Sequence, residues 1–377
     1  MDMRSESGGK IPMAISICEH LKKIDKFEFC YITTFKETQK ILESKLNTKV
    51  FVFNKMAIRI RILNKIKSLF KFLPINFPFD SYLKEKKIDM IFFTDPTSLI
   101  NHNSSFKFIY TILDIEHRKL KKLDEFKKVS DKRDRDYYLA GQKCTKLIVG
   151  TKELKNQVSE IYKIKKDKIF PIIFPPTLSN KINENLKTEN EKKFKIIKNF
   201  KYMIYPAQFW EHKNHIYVVN ALEHLKKVGK LDFKIIFTGH DKGNLQVVKD
   251  IIKKKNLEEF FVILNYVNET ELFYLYKNSF CVIVPTLVAP HTFPLYEAFY
   301  FKKPVIYNSS VLDKELHNRV IGLNVDRNED MEDIIDILKN KIYIKKMVED
   351  NFSFYKSIFN EEKILNSLNY IFRNSLN

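Results

Sequence analysis

Residues 201–240 read KYMIYPAQFWEHKNHIYVVNALEHLKKVGKLDFKIIFTGH, and this stretch decides the class of fold. KYMIYPAQ is an apolar run that stops just past Pro206, HKNHIYVVNALEHLKKV reads as a helix, and FKIIFTGH is a second apolar run ending in a glycine turn. Two strands joined by a helix are parallel neighbours, because a parallel pair needs a long crossover and a helix supplies it.

The alternation continues in both directions. Downstream come a helix (NLQVVKDIIKKKN), a strand (FFVILNYV), a helix (NETELFYLYKNS) and a strand (FCVIVPT). A loop holding Pro290, His291, Thr292 and Pro294 follows, then a helix with Glu297 on its first turn, then the strand KPVIYNS. The chain ends in amphipathic helices from MEDIIDILKN onward. Upstream, GGKIPMAISICEHLKKI reads as a glycine loop opening a helix, with Ala14, Ile17, Cys18, Leu21 and Ile24 as its buried stripe. Strands follow in FEFCYITTF, KVFVFN, KKIDMIFFTDP, FKFIYTILDI and TKLIVGT, with helices in KETQKILESKL and KELKNQVSEIY. Residues 175–194, PPTLSNKINENLKTENEKKF, are polar and carry two prolines, as a linker does. The expectation is an α/β protein of two doubly wound domains facing a cleft: 1–174, then the linker 175–194, then 195–345. Helices over 346–377 are expected to pack back toward the first domain.

Composition narrows the function classes. At 377 residues the chain is too long for one core, and 44% hydrophobic content is enough to pack two. Four scattered cysteines with no C-x-x-C fit neither a disulfide scaffold nor a zinc site, and point to a cytoplasmic protein. No apolar run reaches the roughly 18–20 residues of a membrane span. The net charge of +20 raises the question of nucleic acid. Lysines are spread over most helices, however, and no RNP, helix-turn-helix or zinc-finger pattern accompanies them, so no nucleic-acid partner is expected. Within 59–74, RIRILNKIKSLFKFLP, an apolar stripe (Ile62, Ile66, Leu69, Phe70, Leu73) is flanked by Arg59, Arg61, Lys65, Lys67 and Lys71. That pattern serves either a surface helix packed on a sheet or a contact with the anionic inner face of a membrane.

Chemistry concentrates in the second half. Lys213-Asn214 opens a helix just after a strand, and a helix N-terminus with a lysine at its mouth suits an anion. In order and spacing, residues 200–310 resemble the C-terminal domain of family 4 retaining glycosyltransferases of the GT-B fold. The carriers are HKN at 212–214, the glycine loop FTGHDKG with Gly239 and Gly243, LNYVNETELFYLYKNSFCVIVPT, and PTLVAPHTFPLYEAF. The resemblance implies two Rossmann-like domains, a nucleotide-sugar donor on the second and a glycan or lipid-linked acceptor on the first. Transfer would proceed with retention in cell-surface polysaccharide or lipopolysaccharide synthesis.

It implies the following roles. Lys213 contacts the diphosphate, Glu297 accepts the ribose hydroxyls, and the loop His291, Thr292, Phe293 offers N–H groups to phosphate and sugar. Gln208 and Gly239 border the donor. Gly8 and Gly9 match the N-terminal glycine loop, which would place Gly9 against the donor, although the strand before it is absent or very short. YTILDIEHRKL at 110–120 resembles a segment facing the cleft, in which Asp114, His117 and Arg118 match D-x-x-H-R and Leu113 replaces the usual His; the resemblance makes Asp114 and His117, with Lys213, the candidate catalytic residues, His117 facing the acceptor or the sugar. TKLIVGTKELKNQV borders the same cleft, with Thr151 at its strand end.

Two departures bear on activity. Ala289 stands where the family's first glutamate of the E-x7-E pair belongs, as in a subset tied to surface polysaccharides, and Gln208 replaces a frequent arginine. A catalytically inactive GT-B binding protein is the alternative they raise. No metal or other cofactor is expected: the Asp134 and Asp136 of DRD lie in a helical run where residues two apart diverge. No G-x-G-x-x-G marks a dinucleotide oxidoreductase.

Overall fold

The computed structural model describes residues 1–3, 9–54, 78–102, 105–127, 129–179, 193–288 and 292–376. The segment 59–74, Gly8, Ala289, His291 and most of 175–194 lie outside them. The chain divides into two compact units, Met1–Pro175 with Phe359–Asn377, and Pro176–Ile358.

In the first unit β1 (Tyr31–Thr33) pairs in parallel with β2 (Val50–Val52). A separate parallel sheet runs β3 (Met90–Phe93), β4 (Lys107–Ile112), β5 (Lys146–Val149) and β6 (Ile169–Pro171). The pleat sends alternate residues to two cores. Tyr110, Ile112, Leu147 and Val149 meet Tyr137, Val158 and Tyr162 on one face, whereas Ile109 and Ile148 meet Ile17 and Leu21 on the other. The last helix, Glu361–Leu376, closes that second face with Ile364, Leu368, Ile371 and Phe372, a stripe at helical spacing. The first helix, Lys10–Leu21, ends earlier than its apolar stripe suggests, and Ile24 is buried from beyond its end.

The second unit holds β7 (Tyr202–Pro206), β8 (Lys234–Thr238), β9 (Phe261–Leu264), β10 (Cys281–Val284), β11 (Val305–Asn308) and β12 (Ile321–Leu323). All pair in parallel, in the order β12-β11-β10-β7-β8-β9. β10 is buried at every position and β7 at all but its last, as strands covered on both faces must be. The helix Glu269–Asn278 starts where Asn268 and Glu271 form a reciprocal capping box. β7 starts the sheet in sequence, the chain winds outward to β9, and it returns to place β10 on the other side of β7. That reversal opens a crevice at the carboxyl ends of β7 and β10, the place where ligands bind in open α/β sheets.

Candidate functional site

The loops leaving β7, β8, β10 and β11 are tied into one rim. Leu287 N–H donates to the His212 carbonyl at 2.8 Å, and Thr286 Oγ1 reaches the same oxygen at 3.3 Å. Asn308 at the end of β11 donates to the Thr286 carbonyl at 2.9 Å. Phe209 N–H donates to the His240 carbonyl at 3.0 Å. Gly239 makes this last approach possible. A Cβ there would lie 2.4 Å from the Ala207 carbonyl oxygen and 2.8 Å from Gln208 Cα, both backbone atoms.

Lys213 closes the short turn Glu211–Lys213, and Asn214 (φ 56°, ψ 43°) turns the chain into the helix His215–Lys227. The lysine is half-buried, and its carbonyl accepts Tyr205 Oη at 2.8 Å. Behind it His215 is fully buried, stacked on Phe209 with centroids 4.4 Å apart and flanked by Tyr205 and Phe237. Burial, with the Lys213 charge adding to it, pulls the His215 pKa down to about 3. The imidazole is therefore neutral and packs as a disc beneath the helix mouth, leaving Lys213 to supply positive charge there. Gln208 accepts Trp210 Nε1 on its side-chain oxygen at 3.1 Å.

Across the switch point the helix Phe293–Tyr300 begins with Thr292 as its N-cap and Pro294 in its first turn. Glu297 is thus the fifth helical residue and not in the first turn as expected; the helix starts at Phe293, so a capping role is out of its reach. Thr292 Oγ1 accepts Tyr307 Oη at 3.3 Å, and Phe293 is half-buried. Glu297 is 6% exposed and accepts Tyr276 Oη on Oε2 at 2.6 Å. Burial pushes its pKa up to about 7, against the Tyr276 hydrogen bond and with Glu269 adding to the rise. A carboxyl balanced in this way gains from any donor that favours its charged form.

Gly9, the N-cap of Lys10–Leu21, is exposed at φ −59°, an angle open to any residue. At the carboxyl end of β4, Asp114 is half-exposed, accepts Glu116 N–H at 3.2 Å and faces Arg133 at 3.6 Å. His117 is fully buried with Nε2 on Asp134 Oδ1 at 2.9 Å, and burial lowers its pKa against the pull of Asp134. Asp134, on the helix Ser130–Lys143, also takes Tyr162 Oη at 2.7 Å and Arg118 at 2.8 Å. Its neighbour Asp136 instead accepts Asn101 Nδ2 at 3.0 Å, so the two carboxylates diverge. Burial raises the Asp134 pKa, but the three donors outweigh it and hold it below the usual carboxylate range. Thr151 caps the helix Lys152–Tyr162 by accepting Leu154 N–H at 3.0 Å.

Asp134, Tyr162 and Tyr276 are partners that sequence reasoning missed. Each meets its target across 17 to 28 residues on a separate element, and no local spacing signals that. Asp134→Ala would strip two buried donors of their acceptor and lower the unfolding free energy by about 2–3 kcal/mol in urea titration. The folded pKa of Asp134 is depressed, so its contribution is complete above about pH 4 and lost as pH falls through the folded value. A change below about 0.5 kcal/mol would mean the cluster is held by other contacts.

Among the described residues no group of three or more His, Cys, Asp or Glu is placed to hold a metal. No helix among them is long and apolar enough to cross a membrane. Residues 187–352 match the family model described as Glycosyl transferases group 1. No curated protein matches the chain. Among solved structures, a glycosyltransferase from Rickettsia africae is 17% identical, with 100% of this chain and 97% of that chain covered and a TM-score of 0.69. HepE from Anabaena, solved with UDP and glucose, is 13% identical over 99% of this chain and 98% of its own, with a TM-score of 0.76. A UDP-GlcNAc 2-epimerase from Neisseria meningitidis, bound to UDP-GlcNAc, is 16% identical over 97% of both chains, with a TM-score of 0.63. At these identities the likeness establishes the fold, an α/β GT-B architecture with parallel sheets. The match of residues 187–352 to the group 1 model adds what a shared fold leaves open, and the two findings together support a glycosyltransferase enzyme.

Proposed function

We propose, starting from a group 1 domain on a GT-B fold, that this chain transfers a sugar from a nucleoside-diphosphate sugar to a glycan or lipid-linked acceptor with retention. The observation that carries the reading is the pairing of two unlike groups at the β7/β10 switch point. The Lys213 turn lies on one side and the buried Glu297 carboxyl on the other, with their loops joined through the His212 carbonyl. Glu297 would accept the ribose hydroxyls. Lys213 and the first N–H groups of His215–Lys227 would meet the charge that builds on the diphosphate as its bond to the anomeric carbon breaks. Gln208, Gly239, His291, Thr292 and Phe293 would border the donor. The acceptor oxygen would form the new bond on the same face, its proton leaving with the diphosphate. The positive charge for the leaving group comes from the protein, so the scheme calls for no metal. In the first unit, the half-exposed Asp114 is the group proposed to meet the acceptor. His117, committed to Asp134, would hold that turn in place. A cell-surface polysaccharide or lipopolysaccharide is the proposed destination of the sugar.

The test is a panel of UDP-, GDP- and ADP-sugars incubated with lipid-linked and oligosaccharide acceptors, following released nucleoside diphosphate and glycosylated product. Transfer supports the reading. Conversion of donor to an epimer without an acceptor would replace it with the chemistry of the Neisseria enzyme, and binding without turnover would leave an inactive binding protein. Failure to bind any nucleotide would sink it.

Glu297→Gln supplies a pH signature. A carboxyl whose folded pKa is raised to about 7 contributes stability that is present below its unfolded value near 4.5 and lost as pH rises through 7. The melting temperature of the glutamine variant relative to wild type should therefore climb between about pH 5 and pH 8. Wild-type affinity for a nucleoside diphosphate should rise over the upper part of that range, because ribose hydroxyls donate to the charged form. The variant's affinity should rise less, by only what the ionising terminal phosphate of the ligand contributes in both proteins; an identical rise in both would remove Glu297 from the ribose.

A further inference from the structure

We infer that Tyr276 is a positioning residue for nucleotide recognition: it clamps one oxygen of Glu297 so that the other is aimed at the ribose. The inference rests on the reading of Glu297 as the ribose acceptor and adds a residue that this reading does not contain. Tyr276 sits on the helix Glu269–Asn278, which precedes β10, whereas Glu297 sits on the helix that follows β10. Its hydroxyl donates to Oε2 at 2.6 Å, a short contact of the charge-assisted kind. Among the described residues it is the one hydrogen-bond donor that Glu297 meets.

The tyrosine is itself fixed. It is fully buried, and its ring lies flat on Phe301, with centroids 5.2 Å apart and planes 2° from parallel. Its backbone carbonyl accepts Ser279 Oγ at 2.9 Å. Burial and the neighbouring carboxylate push the phenol far above its ordinary pKa, so it remains a donor. A glutamate side chain has three rotatable torsions, and without the clamp its free oxygen would sample several directions. With Oε2 held, the orientation of Oε1 is fixed before the ligand arrives, which saves ordering cost on binding.

The experiment measures dissociation constants by calorimetry for UDP, GDP and ADP and for the 2′,3′-dideoxy form of each. Wild type, Tyr276→Phe and Glu297→Gln are compared, with melting temperatures recorded for all three. Phenylalanine keeps the ring stack and removes only the donor. Tyr276→Phe should weaken binding of the preferred ribonucleotide about tenfold and that of its dideoxy form by less than about twofold. An equal loss on both ligands would overturn the positioning role and mark Tyr276 as a structural residue, with the ribose reading intact. No change on either would overturn it as well. If Glu297→Gln leaves the preference for ribose unaltered, or wild type binds none of the six probes, the ribose reading itself falls and the inference with it.

Discussion

Replacing Lys213 by alanine is expected to lower the turnover of a nucleotide-sugar donor by about 10²–10³-fold, the usual effect of removing one donor from a site where charge develops. The turn itself should persist, because two of the bonds that shape it run through the lysine's main chain. Its carbonyl accepts Tyr205 Oη and its N–H donates to the Trp210 carbonyl, and an alanine keeps both bonds. The next ionisable side chain into the helix does not replace that charge. His215, the next ionisable group along the helix mouth, is buried and held neutral, with a pKa of about 3. Gln208 carries no charge where an arginine is common in the resembling family. Steady-state release of nucleoside diphosphate reads the effect, and Lys213→Arg should restore part of it by returning the charge. A loss of less than about threefold in the alanine variant would mean that the diphosphate leaves without help from this turn.

Gly239→Ala is expected to be the most disruptive single-methyl change in the second unit. The added carbon would stand 2.4 Å from the Ala207 oxygen, 2.6 Å from the Ala207 carbonyl carbon and 2.8 Å from Gln208 Cα. All three are main-chain atoms of the loop leaving β7, so no rotamer change relieves the contact. The loops after β7 and β8 must separate, breaking the Phe209-to-His240 bond and shifting the ground under Lys213. Overpacking of this kind costs about 1–3 kcal/mol, and nucleotide affinity should fall along with stability. Gly229 provides the control. It has φ +70° and an added Cβ would meet nothing within 4 Å, so Gly229→Ala should cost about 1 kcal/mol of backbone strain and leave nucleotide binding unchanged. Equal stability of the Gly239 variant and wild type, by thermal melting, would contradict the close approach.

Much of the fold was legible because strand and helix differ in period and because prolines and glycines punctuate them. KETQKILESKL and KELKNQVSEIY form helices over Lys36–Leu46 and Lys152–Tyr162, as their patterns predict. The strands β6 and β12 were not singled out. Each is three residues long, and IFP and IGL are too short to carry a period. Of the site, the residues that share a local segment were legible: Lys213 with its helix, and Thr292, Phe293 and Glu297 with theirs.

The succession of strands and helices along the chain, and with it the parallel pairing, is what the sequence by itself determined. A run of apolar strands separated by helices can close only into parallel sheets, since each crossover returns the chain in the same direction. The tertiary structure alone decided which side chains meet at the end of those strands. Asp134, set aside as part of a charged helix, became the acceptor for His117, Arg118 and Tyr162. Glu297, expected at a helix start, became a buried carboxyl clamped by Tyr276. Strand pattern depends on neighbours two to four residues apart, which a sequence displays directly. A buried hydrogen bond across a sheet depends on the register and reversal of strands far apart in the chain, and these exist only once the sheet has formed.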